Sequence, residues 1–172
     1  MMDYLVLYQS LSGNTKRLAA EIFSALPGNS KDLIDISECK TIPEANIYFV
    51  GFGVYYGTCH LEVNHLLSGL SGKAIALFAT CGMGNSTKYG ASIEKTVSAW
   101  IEGDTQYLGA FICQGKMPIA FRNKLESKNL DDSQKHIDAM LGAFDSALTH
   151  PDKLDMEHAK VFVAHCLEKF VH

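Results

Sequence analysis

Two hydrophobic periods alternate along the chain. The runs Asp3-Tyr4-Leu5-Val6-Leu7-Tyr8, Asn46-Ile47-Tyr48-Phe49-Val50-Gly51 and Ala74-Ile75-Ala76-Leu77-Phe78-Ala79-Thr80 are apolar at nearly every position, the pattern of strands buried on both faces. Asp32 to Ile36 is a shorter run of this kind, and Tyr107 to Cys113 is a fifth. Between the runs, apolar residues recur at helical spacing: Leu18, Ile22 and Leu26, then Leu66, Leu67 and Leu70, then Ile93, Val97, Trp100 and Ile101. Pro27-Gly28 stops the first of these helices. After the fifth strand, Gln114 to Asn129 is a polar connection without a clear period. Asp131 or Asp132 is placed to cap a helix with Ile137, Met140, Leu141, Phe144 and Leu148 on one face. Pro151 breaks the chain, and Asp155 is expected to cap a final helix, Met156 to Val171, that packs Phe162, Val163 and Phe170 against the body.

Five apolar strands separated by helices predict an α/β fold, a three-layer α/β/α sandwich around a parallel sheet. For five strands the expected order is 2-1-3-4-5, with the last helix as an addition. No linker or shift of composition divides the chain, so residues 1–172 read as a single domain. In such a sheet, ligands bind beyond the carboxyl ends of the strands where the order reverses, here between strands one and three. The loops to inspect are Gln9–Thr15, Gly53–His60 and Thr80–Gly90, and they are rich in Gly, Ser, Thr and Tyr.

The first loop reads Ser10-Leu11-Ser12-Gly13-Asn14-Thr15 and joins a strand to a helix. Backbone N–H groups and the dipole at that helix start favour an anion. Three hydroxyls and one amide can donate to phosphate oxygens, and Gly13 permits close approach and a positive φ. The loop contains neither the G-x-x-x-x-G-K-[ST] spacing of nucleotide-triphosphate loops nor the dinucleotide G-x-G-x-x-G.

Ser10-x-Ser12-Gly13-Asn14-Thr15 after an apolar first strand resembles the phosphate loop of flavodoxins. Gly51-Phe52-Gly53-Val54-Tyr55-Tyr56-Gly57-Thr58 is similar to that family's second flavin loop, and Thr80-Cys81-Gly82-Met83-Gly84, followed by Tyr89, resembles the third. The resemblance runs from strand one to strand five. It implies a flavodoxin-like fold and one non-covalently bound FMN. Ser10, Leu11, Ser12, Gly13, Asn14 and Thr15 would surround the phosphate; Val54, Tyr55, Tyr56, Gly57, Thr80, Cys81, Gly82, Met83 and Tyr89 would surround the ring. By the same resemblance Tyr56 stacks on the ring with Tyr55 in reserve, Tyr89 covers the other face, and the peptide of Gly57 can flip toward the reduced flavin. The chain departs from the family in two places. The third loop carries no carboxylate after its glycine, and Phe52-Gly53 stand where Ser-Pro is usual. Fewer acidic groups beside the ring do not imply a very low potential.

Composition narrows the function. The formal charge of −4 lacks the basic excess of a nucleic-acid binder. With 47% hydrophobic and 20% charged residues the chain is globular rather than disordered. No leader-like segment or apolar run of about 18–20 residues is present, so neither secretion nor a membrane is expected. The five cysteines are scattered without C-x-x-C spacing and read as reduced thiols of a cytoplasmic protein. The seven histidines form no metal-ligand pattern. A response-regulator receiver is excluded, since Tyr8-Gln9-Ser10 and Gly53-Val54-Tyr55 stand where it needs acidic residues. The expectation is an FMN-binding electron carrier that serves redox partner proteins, with no catalytic residue of its own. The alternatives are a flavin reductase that oxidises NAD(P)H, hosted by the same fold, and a flavin-free interaction domain.

Overall fold

The computed structural model describes residues 1–84, 86–127 and 134–171. The elements are β1 (Met2–Gln9), α1 (Asn14–Ala25), β2 (Lys31–Asp35), a 3-10 turn (Ile36–Glu38), β3 (Ala45–Gly53), α2 (Leu61–Ser68), β4 (Ala74–Cys81), α3 (Thr87–Ser98), β5 (Gln106–Gln114), α4 (Ile119–Glu126), α5 (Gln134–Ala147) and α6 (Lys153–Val171). The strands form one parallel sheet in the expected order, β2-β1-β3-β4-β5.

Alternation along each strand divides the core in two. Leu5, Leu7, Tyr48, Val50, Phe52, Ile75 and Leu77 face α2 and α3, where Val63, Leu67, Ile93 and Val97 meet them. Val6, Tyr8, Ile47, Phe49, Ala76 and Phe78 face α1 and α6, packing on Leu18, Ile22, Ala159, Val163 and Cys166. Both faces are covered, which is why the central strands carry no polar alternation. Gly51 ends the apolar run of β3 for a steric reason: a Cβ there would overlap the Phe78 ring. At the sheet edge, the end of α6 is tied to β5, with Gln106 Nε2 donating to Lys169 O and Lys169 Nζ donating to Leu108 O.

Several boundaries differ from the sequence expectation. β2 starts and ends one residue early, because Asp35 Oδ1 accepts from both the Ser37 N–H and its hydroxyl and turns Ile36 into the 3-10 turn. α3 ends at Ser98, which leaves Trp100 exposed instead of on the buried face. The polar connection after β5 contains α4. The proposed caps Asp131 and Asp132 lie outside the described residues; in α5, Ile137 and Phe144 are buried and Leu148, past the helix end, is exposed.

The last helix begins at Lys153, and its cap is Asp152 rather than Asp155. Asp152 Oδ1 accepts from the Asp155 N–H at 3.0 Å, while Asp155 Oδ2 accepts from the Asp152 N–H at 2.8 Å. This is a reciprocal capping box, whose spacing suits either aspartate to a role in it. Within α6, Val163 is buried and Phe162 is half-buried between Phe49 and Phe111, but Phe170 is exposed near the helix end. Among the described residues no helix is long and apolar enough to cross a membrane.

Candidate functional site

The carboxyl ends of β1, β3 and β4 carry the three loops singled out from the sequence, and the parallel sheet brings them to one edge. In the first loop Gly13 adopts φ +87 and forms the N-cap of α1 with no side-chain cap. The Ser10 hydroxyl accepts from the Gly13 N–H at 3.1 Å, which curls the loop back on itself. Ser10 is half-buried, while Leu11 and Ser12 are exposed. Asn14 Nδ2 donates to Ser12 Oγ at 3.0 Å and to Lys116 O at 2.8 Å. Thr15 is buried and shares a hydrogen bond with Thr80. A helix start without a side-chain cap, bordered by the Ser10 and Ser12 hydroxyls, offers backbone and hydroxyl donors to an anion.

The second loop is a tight turn. Tyr55 and Thr58 exchange backbone hydrogen bonds of 2.8 and 3.1 Å, and the two residues between them, Tyr56 and Gly57, have φ of 49 and 80. Positive φ at both central positions marks a type I′ turn. Glycine takes such angles freely, whereas an aromatic residue there is strained. Tyr56 is nevertheless 88% exposed. Tyr55 is more engaged: its ring stacks on His60 at 5.0 Å and meets Tyr56 edge-on at 4.6 Å. The Val54 N–H donates to Thr80 O, which fastens this loop to the third.

The third loop descends from Thr80 into Cys81, Gly82, Met83 and Gly84. Burial pushes the Cys81 thiol up, as it does that of Cys59, so both are held protonated and are poor nucleophiles. Burial, and then the nearby Cys81, push the Tyr89 hydroxyl up, and its half-buried ring packs on the α2–α3 side of the core. Met83 is exposed at the mouth. Cys59 in turn donates to Asn64 Oδ1 at 2.7 Å and is part of the wall.

Three contributions had no role assigned from the sequence, although Gln9 and His60 bound two of the loops singled out there. His60 supports Tyr55, as above. Gln9, at the end of β1, donates to Glu62 of α2 while its Oε1 is buried without a partner. The segment 114–117, placed in a featureless polar connection, closes the site from the β5 side. The Gly115 N–H donates to Cys81 O, and a Cβ on Gly115 would come within 3.0 Å of Asn14 Nδ2 and 3.1 Å of Thr80 Cβ. The legible signal was glycine directly after an apolar strand.

His150, Asp152 and Asp155 also cluster, with one polar atom of each within 4.8 Å of the others. The capping box of α6 and the His150–Asp155 hydrogen bond of 2.6 Å account for that cluster.

The residues at the edge fit a phosphorylated ligand with a flat ring. The uncapped helix start suits the phosphate, the unpartnered Gln9 Oε1 suits a donor, and the exposed Tyr56 suits a ring face. A family model described as a flavodoxin domain matches residues 5–164. The flavodoxin-like domain-containing protein BilS of Clostridioides difficile (strain CD3) is 34% identical over 173 residues, with 98% of each chain covered. A flavodoxin of Streptococcus pneumoniae TIGR4 superposes with a TM-score of 0.59 at 14% identity, covering 96% of this chain and 98% of that one. A flavodoxin from the domain Archaea gives 0.57 at 17% identity, covering 99% and 100%. At these identities the two solved structures bear on the fold.

Proposed function

This chain belongs to the flavodoxin domain family, and from that premise we propose that it binds one FMN non-covalently and carries electrons between redox proteins. The observation that carries the reading is Tyr56, an aromatic side chain 88% exposed on a backbone at φ 49, at the point where the sheet order reverses. Such a backbone costs of order 1–3 kcal/mol, and an exposed ring returns none of it through the core. A flat ligand stacked on that ring gives the arrangement a purpose.

In this reading the Ser10 and Ser12 hydroxyls and the first turn of α1 hold the phosphate. Tyr56 and Met83 flank the ring, and Tyr55, braced by His60, backs Tyr56. FMN, when bound, would supply the one- and two-electron redox chemistry of a carrier. The protein's own groups favour a carrier over an enzyme. The thiols of the wall are held protonated, the His60 ring is engaged by Tyr55, and Glu62 is engaged by Gln9. Leu11, Tyr56, Leu61 and Met83 are exposed on the loops and helix start around the site, a surface suited to a protein partner. Five free cysteines suit the reducing cytoplasm.

The test is the absorption spectrum and ligand mass of the purified protein, followed by addition of NADH or NADPH. A carrier shows bound FMN and no pyridine-nucleotide oxidation until a reductase is supplied. Rapid direct oxidation would instead mark a flavin reductase.

A further inference from the structure

Gln114 closes β5 and is only 8% exposed. Its Nε2 donates to Gly82 O at 3.1 Å and to Ala143 O of α5 at 3.1 Å, and its Oε1 accepts from Ser146 Oγ at 2.8 Å. The partners dictate which way the amide points. Two carbonyl oxygens can only accept, so the nitrogen must face them. A buried amide with three partners in fixed directions is a rigid fork, and one of its donations goes to the loop predicted to line the flavin.

Gly82 C=O and Met83 N–H belong to one planar unit, so holding the carbonyl also holds the N–H, and the Met83 backbone favours the charged form of the adjacent Cys81 thiol against its burial. Met117 lies against Gly82 where a Cβ would collide with it, so the strap after β5 also covers the peptide from outside. In the second loop the turn is closed by the Tyr55–Thr58 backbone pair, and a Cβ added to Gly57 would meet nothing within 4 Å.

We propose that Gln114 is a positioning residue of the flavin site: it fixes the Gly82–Met83 peptide and couples it to α5, so that this wall of the site is rigid. The proposal rests on the FMN reading for its functional consequence, though not for the grip itself.

The experiment compares wild type with Q114E, Q114M and S146A. Q114E keeps the volume and the Ser146 partner but sets oxygen against two carbonyls. Q114M keeps the volume alone. S146A leaves both donations and frees the orientation of the fork. Three quantities are read: amide exchange at Met83 and Gly84 in flavin-free protein, FMN affinity by fluorescence quenching, and the flavin midpoint potentials. Q114E is expected to speed exchange and weaken FMN roughly tenfold each, the scale of two lost hydrogen bonds, and to shift the potentials. Q114M follows less far, and S146A moves the same quantities by about twofold. If the variants lower global stability alone, and exchange, affinity and potentials match wild type, Gln114 is a structural residue and the proposal is overturned. If Q114E does not fold, S146A decides by the same criteria. If wild type itself binds no FMN, the carrier reading fails, and exchange at Met83 and Gly84 still decides whether Gln114 holds the loop.

Discussion

Thr15 and Thr80 face each other across the sheet end, their hydroxyl oxygens 2.8 Å apart, at 1% and 6% exposure. One hydroxyl donates its proton to the other and can then only accept from a ligand; the other retains a proton to give. The pair therefore joins the phosphate loop to the third loop as well as facing the site. Thr15→Val should destabilise the protein by about 1–3 kcal/mol, because a buried hydroxyl on Thr80 loses its partner. Thr15→Val combined with Thr80→Val should recover most of that loss, since both polar groups are then gone. Urea denaturation of the four proteins checks this. Additive losses would show that the two hydroxyls do not pair.

Ser12 differs, being exposed at the mouth with its hydroxyl accepting only from Asn14. Its proton remains available to an anion. Ser12→Ala should leave stability unchanged and weaken FMN by about 10-fold or more, the scale of a hydrogen bond to a charged group. Riboflavin, which lacks the phosphate, should bind both proteins alike. Equal FMN affinity in titrations of both proteins would reduce the loop to a helix cap.

Tyr56 and Gly57 make opposite predictions for stability and function. Tyr56→Gly relieves a left-handed aromatic residue and should not lower the melting temperature, while FMN binding weakens through lost stacking, roughly 0.5–1.5 kcal/mol beyond burial. Gly57→Val forces a β-branched residue to φ 80 or to a different peptide orientation, at about 1 kcal/mol or more, and should change the separation of the two flavin midpoint potentials. Thermal melts and a reductive titration measure both. A Tyr56→Gly protein that melts lower but binds FMN normally would make Tyr56 a structural residue.

Gly51→Ala tests the core rather than the site. The Phe78 ring occupies the space of the added methyl, and both lie in the middle of a close-packed sheet. A loss of about 1–3 kcal/mol is expected, read as a lower denaturation midpoint with unchanged slope. Gly57→Ala meets no such obstacle and should cost only its backbone strain. Similar behaviour of the two glycines would contradict the packing seen here.

The fold was legible because β1, β3 and β4 are buried on both faces, so their sequences are apolar almost without interruption, and five such strands alternating with helices favour the order that the sheet shows. Local chemistry also placed Gly13 where a positive φ is needed, whereas the left-handed backbone of Tyr56 had no signal in the sequence. Less legible were features decided by distant partners. Asp152 and Asp155 satisfy the same capping spacing, and only the helix start at Lys153 selects between them. Trp100 matches the helical period of α3 but falls after its end. Gln114 reads as the start of a polar loop, because nothing local announces that Gly82, Ala143 and Ser146 converge on it. Likewise Thr15 reads as a phosphate donor, and its pairing with Thr80, 65 positions away, appears only in the fold.

The central claim is that this edge holds FMN for electron transfer. It is tested most directly by adding FMN to the flavin-free protein and following flavin fluorescence and absorbance, then adding NADPH with and without a reductase. The account predicts stoichiometric quenching at one FMN per chain, weaker binding of riboflavin, and reduction of the bound flavin only when the reductase is present. Failure of the protein to bind FMN, or rapid NADPH oxidation by the protein alone, would contradict it.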